Sequence, residues 1–99
     1  MQFRFTADLW EYAGNAAWHF VTLPTDTADA IDEMVGPNRR GFGSVRVEVT
    51  IGTSTWRTSV FPDKKAGSFM LPIKKPVRKA ERIEAGDAVK VVLRLVELD

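Results

Sequence analysis

Ser44-Val45-Arg46-Val47-Glu48-Val49-Thr50-Ile51-Gly52-Thr53-Ser54-Thr55-Trp56-Arg57-Thr58-Ser59-Val60-Phe61 is the stretch that decides the fold class. Val45, Val47, Val49 and Ile51 alternate with Arg46, Glu48 and Thr50, the period of two that sends successive side chains to opposite faces of a strand. Gly52-Thr53 suits a two-residue turn of type II′, where glycine supplies the positive φ. That turn sets the register: Val49 faces Trp56, Val47 faces Thr58 and Val45 faces Val60 inside, while Glu48 faces Arg57 outside. The opposite charges of Glu48 and Arg57 agree with it, since like charges directly opposed destabilise a strand pair. Arg57 is therefore read as a cross-strand partner rather than a ligand-binding residue.

The same alternation recurs on either side. Phe3, Phe5, Ala7 and Leu9 interleave with Gln2, Arg4, Thr6 and Asp8, which predicts a first strand. Residues 12–16, containing Gly14-Asn15, turn the chain, and Ala17 to Leu23 predicts a second strand ended by Pro24. Thr25-Asp26-Thr27 offers N-cap oxygens to a short acidic helix whose apolar face is Ala28, Ile31, Met34 and Val35, stopped by Gly36-Pro37. The following loop to Gly43, with Arg39 and Arg40, is the segment expected to be mobile. After Leu71-Pro72, a basic helix carries Ile73, Val77 and Ala80 inward and Lys74, Arg78 and Arg82 outward, with Lys75 and Lys79 beside them. Gly86-Asp87 then opens a last strand, residues 88–97, with Val89, Val91, Leu93 and Leu95 on its inner face. Val92 and Val96 make its other face partly apolar, which suggests a central strand or an interface.

These elements predict a mainly β fold, a small closed antiparallel β-barrel of about six strands with two short helices, because short strands with exposed edges need closure or cover. At 99 residues the chain is one domain, burying roughly 65% of the surface its unfolded form exposes. No repeat, low-complexity tract or linker divides it. No apolar run approaches the roughly 20 residues that span a bilayer, and the start of the chain lacks a secretory leader pattern. With no cysteine to oxidise or to bind metal, the expected location is cytoplasmic.

A net charge of +1 conceals an asymmetry. Residues 1–36 carry one cation, Arg4, against six carboxylates; residues 57–82 carry eight cations against Asp63 and Glu81. The two segments either face each other, form separate solvated faces, or leave an anion-binding surface.

Gly41-Phe42-Gly43-Ser44-Val45-Arg46-Val47, Trp56-Arg57-Thr58-Ser59-Val60-Phe61-Pro62-Asp63-Lys64, Leu71-Pro72-Ile73-Lys74, Val77-Arg78, Gly86-Asp87 and Trp18-His19-Phe20-Val21-Thr22-Leu23-Pro24 together resemble the bacterial family catalogued as domain of unknown function 1905. The resemblance covers nearly the whole chain and implies a small cytoplasmic β-barrel with no established activity. Leu71-Pro72, Arg78, Ile83, Gly86-Asp87 and the Val-rich strand are also similar to the second half of the swapped hairpin in AbrB-like regulators, which bind DNA as intertwined dimers. That local similarity implies a double-split barrel. The Phe3 to Leu23 hairpin and the acidic helix have no counterpart in those short regulators, so one chain is expected to suffice for closure.

Catalytic constellations are thin. His19 is the single histidine, flanked by Trp18 and Phe20, and reads as a strand residue rather than a base. Asp26, Asp29, Asp32 and Glu33 are helix-surface carboxylates, Ser59 has no predictable base, and Gly41-x-Gly43 precedes a strand instead of opening a helix. The expected function is therefore non-enzymatic binding, without cofactor or metal. The candidate partner surface is Lys74, Lys75, Arg78, Lys79 and Arg82, joined by Lys64 and Lys65 from the preceding turn. A pocket at the barrel mouth, drawing on Trp10, Trp18, His19 and Trp56, is the second candidate, although core packing is the default role of each tryptophan. The partner classes are a small anionic ligand or a protein. Nucleic acid is disfavoured because few aromatics are free to stack and a pI near 8.1 is only mildly basic. Monomer and homodimer both stay open.

Overall fold

The computed structural model describes residues 1–15, 17–36 and 43–96. Its strands are β1 (Gln2–Glu11), β2 (His19–Thr22), β3 (Val45–Ile51), β4 (Ser54–Asp63), β5 (Ser68–Pro72) and β6 (Ala88–Leu95). The helices are α1 (Thr25–Val35) between β2 and β3, and α2 (Lys75–Glu81) between β5 and β6. All strand pairs are antiparallel, and the order β1-β2-β5-β4-β3-β6 closes on itself, so this one chain completes the barrel.

The β3–β4 register is the expected one, with Val49 opposite Trp56, Glu48 opposite Arg57, Val47 opposite Thr58 and Val45 opposite Val60. Gly52 has φ +57°, while Thr53 is not in the left-handed region, which fits type II′ and excludes type I′. The inner stripes meet as one core of Leu9, Val21, Val47, Val49, Val60, Phe69, Leu71, Val91 and Leu93, each at most 2% exposed. Closure works through two long strands that each serve two neighbours. β1 pairs with β6 over Gln2–Asp8 and with β2 over Leu9–Glu11; β4 pairs with β3 up to Val60 and with β5 from Phe61 to Asp63. Pro62 is tolerated because β3 has already ended there, leaving no partner for the missing N–H. β6 lies between β1 and β3, the central position its two apolar faces suggested.

The helices close opposite ends of the barrel. α1 leaves β2 and buries Thr27, Ala28 and Ile31, while the Ser68 Oγ donates to the Leu23 carbonyl at 2.6 Å beneath it. Its N-cap is Pro24, without a side-chain capping bond, so the Thr25-Asp26-Thr27 cap does not form; Asp26 instead accepts from the Thr27 N–H at 2.8 Å. Met34 points to solvent, because the barrel end seats only Ala28, Ile31 and, in part, Val35. β2 is shorter than the alternation suggested, since Trp18 belongs to the turn: its N–H donates to the Asn15 carbonyl at 3.0 Å and its carbonyl accepts from Tyr12 at 2.8 Å. The 37–42 segment, with Arg39 and Arg40, and residue 97 lie outside the described residues.

α2 is held by its own carboxylate. Glu81 accepts from the Ser54 hydroxyl at 2.6 Å and from the Thr53 hydroxyl and N–H at 3.2 and 3.4 Å, tying the end of α2 to the β3–β4 turn. The Ser54 hydroxyl above all, with the Thr53 donors, holds the Glu81 carboxyl below the usual carboxylate range. A Cβ built on Gly52 would overlap the Glu81 Oε1 and push that carboxylate out of the clamp, and the positive φ itself favours glycine. Inward, α2 packs Val77 on the core; Ala80 is exposed, and Ile83 beyond the helix takes the expected third inner place.

Two outcomes test this clamp. Gly67 also has positive φ, +63°, but open space around it, so Gly67→Ala should cost about 1–2 kcal/mol for the left-handed backbone alone. Gly52→Ala should cost clearly more in urea unfolding; equal losses would remove the clamp from the account. Because folding lowers the Glu81 pKa, its stabilisation is complete above the unfolded carboxylate pKa and disappears as pH falls through the folded value. Glu81→Gln should therefore be less stable than wild type at pH 7, with the gap narrowing from about pH 5 downward. A gap independent of pH would assign the loss to something other than charge.

Candidate functional site

Antiparallel partners directly opposite each other share a face, so the registers define the outer surface of the barrel. Over β1, β6, β3 and β4 that surface is polar. Glu48 sits between Arg94, at 2.9 Å, and Arg57, at 3.5 Å, and these two guanidiniums, Arg94 first, hold its carboxyl below the usual range. Arg57 is thus the cross-strand partner that the alternation implied. Over β1, β2, β5 and β4 the outer surface is apolar: Trp10, Phe20 and Pro72 lie in one cross-strand row, and Thr22, Met70 and Phe61 in the next.

No element among the described residues covers this second face. Trp18 is 55% exposed, Tyr12 43% and Phe61 41%, on a barrel whose interior residues are shielded almost completely. The rings are mutually ordered, with centroids 5.1 Å apart for Trp10–Phe20, 5.6 Å for Tyr12–Trp18 and 6.4 Å for Tyr12–Phe20. These distances are those of favourable aromatic pairs. Between the β1–β2 turn and β4 the face is hollowed into a groove of about 290 Å³, walled by Trp18, Phe20, Phe61, Met70 and Pro72, with Lys74 at its end. Ala17, His19 and Ile73 complete the lining.

The four residues expected to form a barrel-mouth pocket separate. Trp18 and His19 line the groove, on the outer wall rather than the mouth. Trp10 lies on the far side of Phe20 with its Nε1 donating to the Thr22 hydroxyl at 2.9 Å, and Trp56 faces inward, half-buried on the core. His19 Nε2 is 3.6 Å from a Glu11 carboxylate oxygen, its Nδ1 is buried without a hydrogen bond, and its carbonyl accepts from Ile73 at 2.9 Å. Among the described residues no cluster of His, Cys, Asp and Glu suits a metal ion.

The basic surface separates too. Lys64 and Lys65 occupy the β4–β5 turn, whereas α2 follows the other end of β5, roughly 13 Å of strand away. Lys64 borders a different hollow of about 330 Å³, which it shares with Asp32 and Asp63 at the α1 end. Arg78 is not a free outward charge: its Nη1 donates to the Ile73 carbonyl at 2.7 Å and fastens α2 to the end of β5. Arg82 is the C-cap of α2, in the left-handed region at φ 55°. Lys74, Lys75 and Lys79 are exposed. The cations of α2 and the carboxylates of α1 therefore lie at opposite ends of the barrel, while Lys64 lies at the α1 end beside Asp32.

Phe20, Phe61, Met70 and Pro72 were missed as site residues, although the signal was present. Inward Val21, Val60 and Leu71 fix their neighbours as outward, and an outward apolar residue on each of three strands is a face in search of contact.

A family model described as Domain of unknown function (DUF1905) matches residues 5–93. The chain belongs to this family. No curated protein matches it. The DUF1905 match takes in β2 to β5 and both helices whole, most of β1 and β6, and the groove residues Ala17 to Lys74. No helix among the described residues is long and apolar enough to cross a membrane.

With its cations divided between the two ends, the chain should bind duplex DNA no more tightly than the ordinary non-specific range of about 10⁻⁴ to 10⁻⁶ M at physiological salt. Submicromolar, salt-steep binding in an anisotropy titration would return the α2 surface to first place.

Proposed function

We propose that this DUF1905 domain is a non-enzymatic binding module and that the outer aromatic groove is its binding surface. The observation that carries this reading is the uncovered row of Phe20, Phe61, Met70 and Pro72 beside the exposed Trp18. Exposed aromatic area of this kind costs hydration free energy in the isolated molecule and is recovered on contact with a ligand or partner. The barrel interior offers no alternative, since six strands enclose less space than the eight whose side chains just fill a barrel, and its core residues are already buried. A β-strand addition mode is also closed, because every strand has two neighbours. Among the described residues the groove is lined by one histidine and one lysine, with no nucleophile beside a base, which supports binding over catalysis.

A fragment screen followed by amide and indole NMR shifts tests the reading. Hits should map to Trp18, Phe20, Phe61 and Met70, and Phe61→Ser should weaken them by about tenfold while leaving the urea midpoint close to wild type, since Phe61 is exposed. Hits confined to the α1-end hollow, or none at all, would reject it.

A further inference from the structure

The groove has a directional charge pattern. Three aromatic side chains, Trp18, Phe20 and Phe61, and the apolar Met70 and Pro72 make its walls, and among the described residues Lys74 at one end is its only permanently charged lining residue. Lys74 is held there by the fold: it is the N-cap residue of α2, its carbonyl accepts from Val77 and Arg78, each at 3.1 Å, and the preceding Ile73 is bonded both to His19 and to Arg78. Resting on the reading of this groove as the binding surface, we propose that its ligand class is a small flat apolar molecule carrying a single carboxylate, with the ring system between Trp18, Phe20 and Phe61 and the carboxylate on Lys74 Nζ.

Three observations select this class. The first is size: about 290 Å³ is at the small end of ligand sites, enough for one or two rings. The second is area. Four strands about 4.8 Å apart, read over some five residues, make a patch of roughly 250 Å² in plan, the scale of a small ligand's contact. The third is charge. An ammonium is a point charge with three donors, suited to one monoanionic group, whereas a phosphate, with nearly two charges and more acceptors, calls for more cations. The Glu11 carboxylate, 3.6 Å from His19 Nε2, repels any anion in proportion to its charge, a polyanion more than a monoanion.

The test uses 2-naphthoate and its neutral counterpart 2-naphthamide, followed by NMR and calorimetry on the full chain. The expected result is that 2-naphthoate shifts the Trp18 indole and the Phe61 and Met70 signals, and binds about five- to tenfold more tightly than the amide, as an exposed charge-assisted hydrogen bond allows. Lys74→Gln should remove that preference and leave amide binding unchanged. Lys65→Gln, at the other end of β5, should alter neither. Equal binding of acid and amide, both lost in Trp18→Ala, would overturn the carboxylate class while upholding the groove as the surface. Absence of shifts at the groove with either compound would overturn both. Preference for the acid that survives Lys74→Gln would overturn the role of Lys74.

Discussion

Ring closure of a narrow barrel is the constraint on which the rest of this molecule depends. Six antiparallel strands leave no free edge only if β1 and β4 are long enough to serve both halves of the ring, and each changes partner midway to do so. The cost is an interior with room only for its own side chains. Leu9, Val21, Val47, Val60, Leu71 and Val91 occupy it, and the ends are taken by Ile31 from α1 and Ile73 ahead of α2.

Closure also divides the outer surface in two. Where β1, β6, β3 and β4 adjoin, outward positions hold Arg4, Lys90, Arg94, Glu48 and Arg57, and Glu48 pairs with both Arg94 and Arg57. Where β1, β2, β5 and β4 adjoin, the outward positions hold Trp10, Phe20, Pro72, Met70 and Phe61. No element among the described residues covers them, because each helix is engaged at an end. Ring contacts order Trp10 against Phe20 and Tyr12 against Trp18 on this face.

The basic helix owes its position to hydrogen bonds that use up part of its apparent binding capacity. Glu81 joins it to the hairpin turn at Thr53 and Ser54, and Arg78 joins it to the Ile73 carbonyl. These bonds convert a charged stretch into a rigid connection. What they deliver to the outer face is Lys74, at the junction of β5 and α2 and at the end of the groove.

The sequence by itself determined the strand registers and inner faces that a period of two and a tight turn control, though not the helix details, where Met34 and Ala80 are exposed and Pro24 is the N-cap of α1. Gly52-Thr53 and the Glu48–Arg57 pairing set the β3–β4 register, and the alternation of Phe3 to Leu9 and of Val89 to Leu95 set two more inner faces. These depend on residues close in the chain or on a period of two, both readable without knowledge of neighbours. Only the tertiary structure decided which strands meet. The β2–β5 and β4–β5 pairings bring Phe20, Met70 and Phe61 together from three separated segments, and no local signal encodes that meeting. The same pairings put Lys65 and Lys74 at opposite ends of β5, although they are neighbours in a charge count along the chain. The reason is geometric: an extended strand advances about 3.3 Å per residue, so a few positions in sequence become the full length of a small barrel.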